Sequence, residues 1–186
     1  PASILTRFIW PDVPIDVIND SGIGVAKDGD ADFIETLKED WQPTAFVPES
    51  CEDCMSDGHL FDMLRWQLER DPNMRMGAFS TENDLIIGTL FLQLGSGEFG
   101  AQVLTQTQAM AAQFPGRYVP FLAPGSAHTV LKLRNNLTIE ADEAFLPFPL
   151  SLGGYEDVEV NGVTVLDWMQ QMLDPEATWE AVYGFE

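Results

Sequence analysis

Three short apolar runs, separated by two stretches of helical periodicity, constrain this chain more than any other feature. Residues 13–19 (VPIDVIN) end in Asn-Asp-Ser-Gly and read as a buried strand entering a tight turn. Residues 74–80 (MRMGAFS) fit a second strand, which Gly77 weakens. Residues 118–122 (YVPFL) fit a third, where Pro120 predicts an edge position or a strand end. Between the first two runs, residues 32–39 suit a polar helix. Leu60, Leu64 and Leu68 then recur at helical spacing up to Arg70, with Ser56 or Asp57 as the cap and Asp71-Pro72-Asn73 as the stop. Between the second and third runs, residues 99–114 predict another helix with Val103, Met110 and Phe114 on one side. Strand, helix, strand, helix, strand is the order of parallel strands joined by crossovers, so the expected fold class is α/β. With 45% of its 186 residues hydrophobic, the chain can build one sizeable core. Three parallel strands are too few to be self-sufficient, however, and an apolar open edge is expected.

The remaining segments are shorter. Residues 158–165 (VEVNGVTV) predict a turn on Asn161-Gly162 between extended pieces. Residues 166–173 and 178–183 predict two terminal helices, each carrying a Trp, and residues 137–155 read as irregular, rich in Pro and Phe.

Charge narrows the partners. Thirty Asp and Glu stand against nine Lys and Arg, a net charge of −21 at pH 7. A surface so acidic repels phosphate backbones, which argues against nucleic acid, and it opposes polyanionic substrates and anionic lipid as well. Only three of the basic residues are Lys, a balance that suits a saline habitat or simply a soluble acidic protein. No apolar run is long enough to span a bilayer, and Pro1 does not begin a recognisable leader.

Cys51-Glu52-Asp53-Cys54 admits three readings. A redox pair needs a positive field to hold a thiolate, and Glu49, Glu52, Asp53 and Asp57 oppose that. A zinc half-site needs more ligands, of which His59 is the nearby candidate. A structural disulfide, local or to another segment, needs only an oxidising compartment and is the favoured reading. It implies a secreted or periplasmic protein.

Sites in open α/β sheets lie at the carboxyl ends of the strands. That rule selects the loops holding Asn19-Asp20-Ser21-Gly22, Ser80 to Asp84, and Gly125-Ser126-Ala127-His128. An Asp after one strand and a His after the next follow the chain order of an α/β-hydrolase triad whose Ser lies upstream. His128 is the candidate base, while His59 belongs to the start of a helix. Asp84 competes for the acid role with Glu82 and Asp20. Asp84 could instead cap a helix over residues 85–92, and Asp20 could fix its own turn by an Asx-type bond. No Ser fits a nucleophile: Ser96 between its glycines lacks a preceding strand, Ser126 lies too near His128, and Ser21 lacks the elbow context.

The ordered set of motifs resembles the pectin acetylesterase and Notum-like family of α/β-hydrolases, particularly its bacterial members. The set comprises Asp20-Ser21-Gly22 after a strand, Cys51-x-x-Cys54 before a helix, Arg70-Asp71-Pro72 leading to Phe79-Ser80, and Asp84. It continues with Gly-Ser-Ala-His ending at His128, then Val160-Asn161-Gly162-Val163 leading to Asp167-Trp168. The resemblance implies that residues 1–186 form the carboxy-terminal part of a single catalytic domain, with Asp84 as triad acid and His128 as base. It also implies a Gly-x-Ser-Ala-Gly-Gly elbow just before Pro1, whose helix corresponds to residues 1–8, and an oxyanion hole built mostly upstream. The expected activity is carboxylic ester hydrolysis through an acyl-enzyme, without a cofactor or metal, completed by an amino-terminal chain of the same hydrolase. The acidic surface favours neutral esters such as acetylated neutral glycans, acyl esters or polyesters over pectin. The competing expectation is a non-catalytic, hydrolase-like binding domain that has no nucleophile.

Overall fold

A computed structural model describes residues 2–27, 31–42, 47–52, 54, 59–95, 97–129 and 158–186. Four strands, Ile15–Asp20, Met74–Thr81, Tyr118–Ala123 and Val182–Tyr183, form one sheet in that order, and every neighbouring pair is parallel. Helix α1 (Ala2–Ile9) precedes strand β1 (Ile15–Asp20), and helices α2 (Ala31–Trp41) and α3 (Phe61–Arg70) lead to β2 (Met74–Thr81). A π-helix (Leu85–Phe91) and α4 (Glu98–Gln113) lead to β3 (Tyr118–Ala123). A hairpin of β4 (Glu159–Val160) and β5 (Val163–Thr164), helix α5 (Val165–Leu173) and strand β6 (Val182–Tyr183) complete the order.

The alternation of side chains along the strands builds two cores. Met74, Met76, Ala78, Tyr118 and Leu122 face one side, where they meet Phe61 and Leu68 of α3 and Val103 and Met110 of α4. Phe79, Val119, Phe121 and Ala123 face the other, against Val165, Trp168 and Met172 of α5 and Trp179. Both faces of β2 and β3 are therefore covered, as a parallel sheet requires. Gly77 has its reason here: a Cβ at that position would stand 2.6 Å from Trp168 Cη2 and 3.1 Å from Trp179 Cζ2. The glycine that weakens the strand in the sequence is what lets two indoles lie on it.

Three sequence expectations need correction. Residues 178–183 are not a helix: Val182 and Tyr183 form β6, paired with Phe121 and Leu122, so the sheet has four strands rather than three. Pro120 does not mark an edge, because β3 is bonded on both sides. Leu122 O accepts from Gly184 N, so residues 120 and 122 turn their backbone toward β6. The N–H that Pro120 lacks is thus missing only where β6 has not yet begun, and the β2 ladder is intact. Helix α3 begins at Phe61 after Leu60, which supplies no side-chain cap; Ser56 and Asp57 lie outside the described residues, as do Ser96 and residues 137–155. The segment after Asp84 is a helix with Asp84 as its cap, as one reading of the sequence has it, and it is of the π type, with Asp84 O accepting from both Gly88 N and Thr89 N.

Local signals are realised elsewhere. Asn161 and Gly162 both take positive φ, 54° and 82°, the geometry of a two-residue hairpin turn. Helix α3 stops at Asp71, whose N–H bonds back to Gln67 O. The Arg117 guanidinium reinforces that stop, donating to Leu68 O, Asp71 O and Met74 O and so tying α3 to the strands it feeds. Cys51 and Cys54 are joined in a disulfide. Among the described residues no helix is long and apolar enough to cross a membrane.

Candidate functional site

The carboxyl ends of β1, β2 and β3 lie side by side because the strands are parallel and in register, Asp20 opposite Phe79 and Thr81 opposite Ala123. Beyond the last rungs the loops remain laced together. Ser21 N bonds to Phe79 O at 2.9 Å, Glu82 N to Ala123 O at 3.0 Å, Asn83 N to Gly125 O at 2.9 Å and Leu85 N to Ser126 O at 3.3 Å. This lacing brings Asp84 to His128. The imidazole Nδ1 stands 3.0 Å from Asp84 Oδ2 and 3.2 Å from Oδ1. Asp84 is fully buried, whereas the His128 side chain is 29% exposed. A carboxylate can only accept, so the neutral ring carries its proton on Nδ1 and leaves Nε2 as an acceptor.

Helix capping and pairing with His128 are alternatives for Asp84 in the sequence. In the fold the same carboxylate does both. Its Oδ1 accepts from Ile86 N at 3.0 Å and Ile87 N at 2.9 Å, amides in the first turn of the π-helix. Those donors offset the cost of burying a polar group and fix the carboxylate plane toward the imidazole. The loop that carries Asp84 is itself clamped by α4. Asn83 Oδ1 accepts from Gly97 N, and Gly100 packs so closely on Glu82 that a Cβ there would stand 2.7 Å from Glu82 O.

The other candidates sort differently. Asp20 ends β1, and Ser21 Oγ lies 3.4 Å from its Oδ1. None of the hydrogen bonds among the described residues joins Asp20 to His128. The side-chain bond that closes this turn comes from Asn19, whose Nδ2 donates to Gly22 O at 2.8 Å. Ser21 is buried at a φ of 61°, a left-handed conformation seldom taken by serine. His59 is also buried and serves the structure: its Nδ1 accepts from Ala26 N at 3.0 Å, holding the segment that leaves β1 against the start of α3. Among the described residues no three His, Cys, Asp or Glu side chains are grouped as a metal site.

Two contributors have no signal in the sequence. The amides of Ile86 and Ile87 carry no side-chain signature at all. Thr81, 2% exposed, donates from Oγ1 to Ala127 O at 2.7 Å, a bond between residues 46 apart. Clefts of about 450, 410 and 310 Å³ lie elsewhere, along α5 and the hairpin and between α1 and α3, and neither Asp84 nor His128 lines them. The chain matches no protein-family profile, no curated protein and no solved structure.

Proposed function

We propose that this chain is the carboxy-terminal part of a serine-type α/β-hydrolase that cleaves carboxylic esters. The observation that carries the reading is the Asp84–His128 pair, Nδ1 to Oδ2 at 3.0 Å, at the carboxyl ends of neighbouring parallel strands. In this mechanism His128 Nε2 takes the proton of a serine hydroxyl as it attacks the ester carbonyl. Asp84 holds the imidazole in the required tautomer and stabilises its cation, and backbone amides receive the oxyanion. Protonated His128 then delivers its proton to the leaving alcohol. Water repeats the attack on the acyl-enzyme with the same base.

The nucleophile and oxyanion hole come, in this reading, from an amino-terminal chain of the same hydrolase. Two features support such a neighbour. Strand β1 has β2 as its only partner among the described residues. Before it, α1 and the loop that follows expose Leu5, Phe8, Ile9, Trp10 and Val13, with Phe8 86% open. A concentration of exposed apolar side chains of this kind marks a surface that is normally covered. The Cys51–Cys54 disulfide supports an extracytoplasmic location, and the charge of −21 favours neutral esters.

Co-expression with the coding sequence upstream of Pro1, followed by turnover of a small activated ester, tests the proposal. His128→Ala should lose nearly all activity, and Asp84→Asn on the order of 10⁴-fold through the wrong tautomer. His59→Ala should leave the chemistry nearly intact. If Asp20→Asn abolishes turnover and Asp84→Asn does not, Asp20 is the acid. Undiminished turnover in His128→Ala would reject the serine-hydrolase mechanism. An upstream sequence without an elbow serine would make this a non-catalytic, hydrolase-like binding domain.

A further inference from the structure

Among the described residues, the loop that carries His128 is held at few points. Pro124, Gly125 and Ser126 are exposed, and Gly125 takes a φ of 109°. Strands β2 and β3 stop pairing at Thr81 and Ala123. Past that point the loop is attached through Gly125 O to Asn83 N and through a long bond, 3.3 Å, from Leu85 N to Ser126 O. The bond nearest His128 is also the shortest: Thr81 Oγ1 donates to Ala127 O at 2.7 Å. That carbonyl belongs to the peptide linking Ala127 to His128, so its direction sets where the Cα–Cβ bond of His128 starts. Thr81 is 2% exposed, and its branched Cβ restricts the side chain to few rotamers, so the hydroxyl is held in place from the sheet.

We infer that Thr81 is a positioning residue, whose hydroxyl anchors the Ala127–His128 peptide and thereby aligns the imidazole with Asp84. The inference rests on the reading of Asp84 and His128 given above. Asp84 is fixed by the π-helix amides and Thr81 by the sheet, so the two halves of the pair are located from two rigid elements rather than from the exposed loop between them. Misplacement of about 1 Å in such a pair is enough to disturb its hydrogen bond and any proton transfer that depends on it.

The test uses the protein co-expressed with the coding sequence upstream of Pro1 and the imidazole N–H resonance of His128, which a merely structural threonine would not move. In the unaltered protein a downfield Nδ1–H signal should be present, and Asp84→Asn should abolish it. Thr81→Val, which keeps the shape and removes the hydroxyl, should also abolish or broaden it, while Thr81→Ser should restore it. If Asp84→Asn removes the signal and Thr81→Val leaves it sharp, Thr81 has no positioning role and the Asp84–His128 reading survives. If the signal is absent from the unaltered chain, or indifferent to Asp84→Asn, both fall together. Should Thr81→Val fail to fold, Thr81→Ala and Thr81→Ser decide: loss in the first and retention in the second support the anchor, and identical behaviour overturns it.

Discussion

Among single residues, Tyr118 is one whose burial carries a visible cost. It is 1% exposed beneath α3, stacked edge-on to Phe61 at 6.2 Å between centroids, and its hydroxyl has no hydrogen-bond partner among the described residues. A buried hydroxyl without a partner costs about 1–3 kcal/mol, so Tyr118→Phe should stabilise the protein by about 1 kcal/mol in urea unfolding at neutral pH. A destabilised Phe variant would show that the hydroxyl is satisfied after all. Burial also pushes the Tyr118 phenol well above its ordinary value, and Tyr183 in the same direction. The unfolded chain releases these protons near pH 10, about the ordinary value for tyrosine, while the folded chain retains them. Their contribution to stability is therefore complete below about pH 10 and declines as pH climbs toward the raised folded values. Tyr118→Phe should reduce that alkaline decline, measured as the change in urea midpoint between neutral and alkaline buffer.

Among the secondary elements, the π-helix is the one on which the site depends. Asp84 caps it and Gly88 lets it pack, since a Cβ at Gly88 would meet Phe99 Cγ at 2.8 Å and Cβ at 3.0 Å. Phe99 lies in the first turn of α4, so this contact fixes the π-helix against the helix that also grips Asn83. Gly88→Ala should cost about 1–3 kcal/mol by overpacking, read as a lower urea midpoint. Because the displaced element carries the amides that hold Asp84, the His128 N–H signal should weaken in the same variant. A normal midpoint with an unchanged signal would show that the π-helix has room to shift. The sequence legibly places an Asp and an apolar run here, but not the widened turn, in which Asp84 O accepts from both Gly88 N and Thr89 N and against which Phe99 packs. Thr81 is illegible for a similar reason: a threonine ending a strand is an ordinary β-former until the loop 46 residues away arrives beside its hydroxyl.

Across the molecule as a whole, charge and packing oppose each other. Thirty acidic against nine basic residues must share one surface. Several of the few cations serve as cross-links. Arg75 joins β2 to Asp16 of β1 at 2.8 Å and to Met172 O of α5, and Arg7 joins α1 to Asp71 at 2.6 Å. The Asp16 bond raises the Arg75 pKa further above a value that already keeps it charged. The excess of negative charge is left to repel itself, and screening should relieve it. Tm should therefore rise as sodium chloride increases from low to about physiological ionic strength, and a Tm that is flat or falling would show that the ion pairs outweigh the net repulsion.

Features with a local cause can be read directly from the chain. The apolar runs of β1, β2 and β3, the periodic helices between them, the Asn161-Gly162 hairpin and the stop after Arg70 are each specified by residues within a turn or two. Proximity also makes Cys51–Cys54 legible. Other features depend on a partner far away in sequence, and they exist only once the chain has folded. Val182 and Tyr183 are a strand because Phe121 and Leu122 offer an open ladder, and Gly77 is tolerated because Trp168 and Trp179 need its space. Pro120 is permitted inside the sheet because its missing donor faces a strand that begins one residue later. The Asp84–His128 pair spans 44 residues, and parallel register, by setting two loops at the same end of the sheet, is what lets two separate candidates meet in one hydrogen bond.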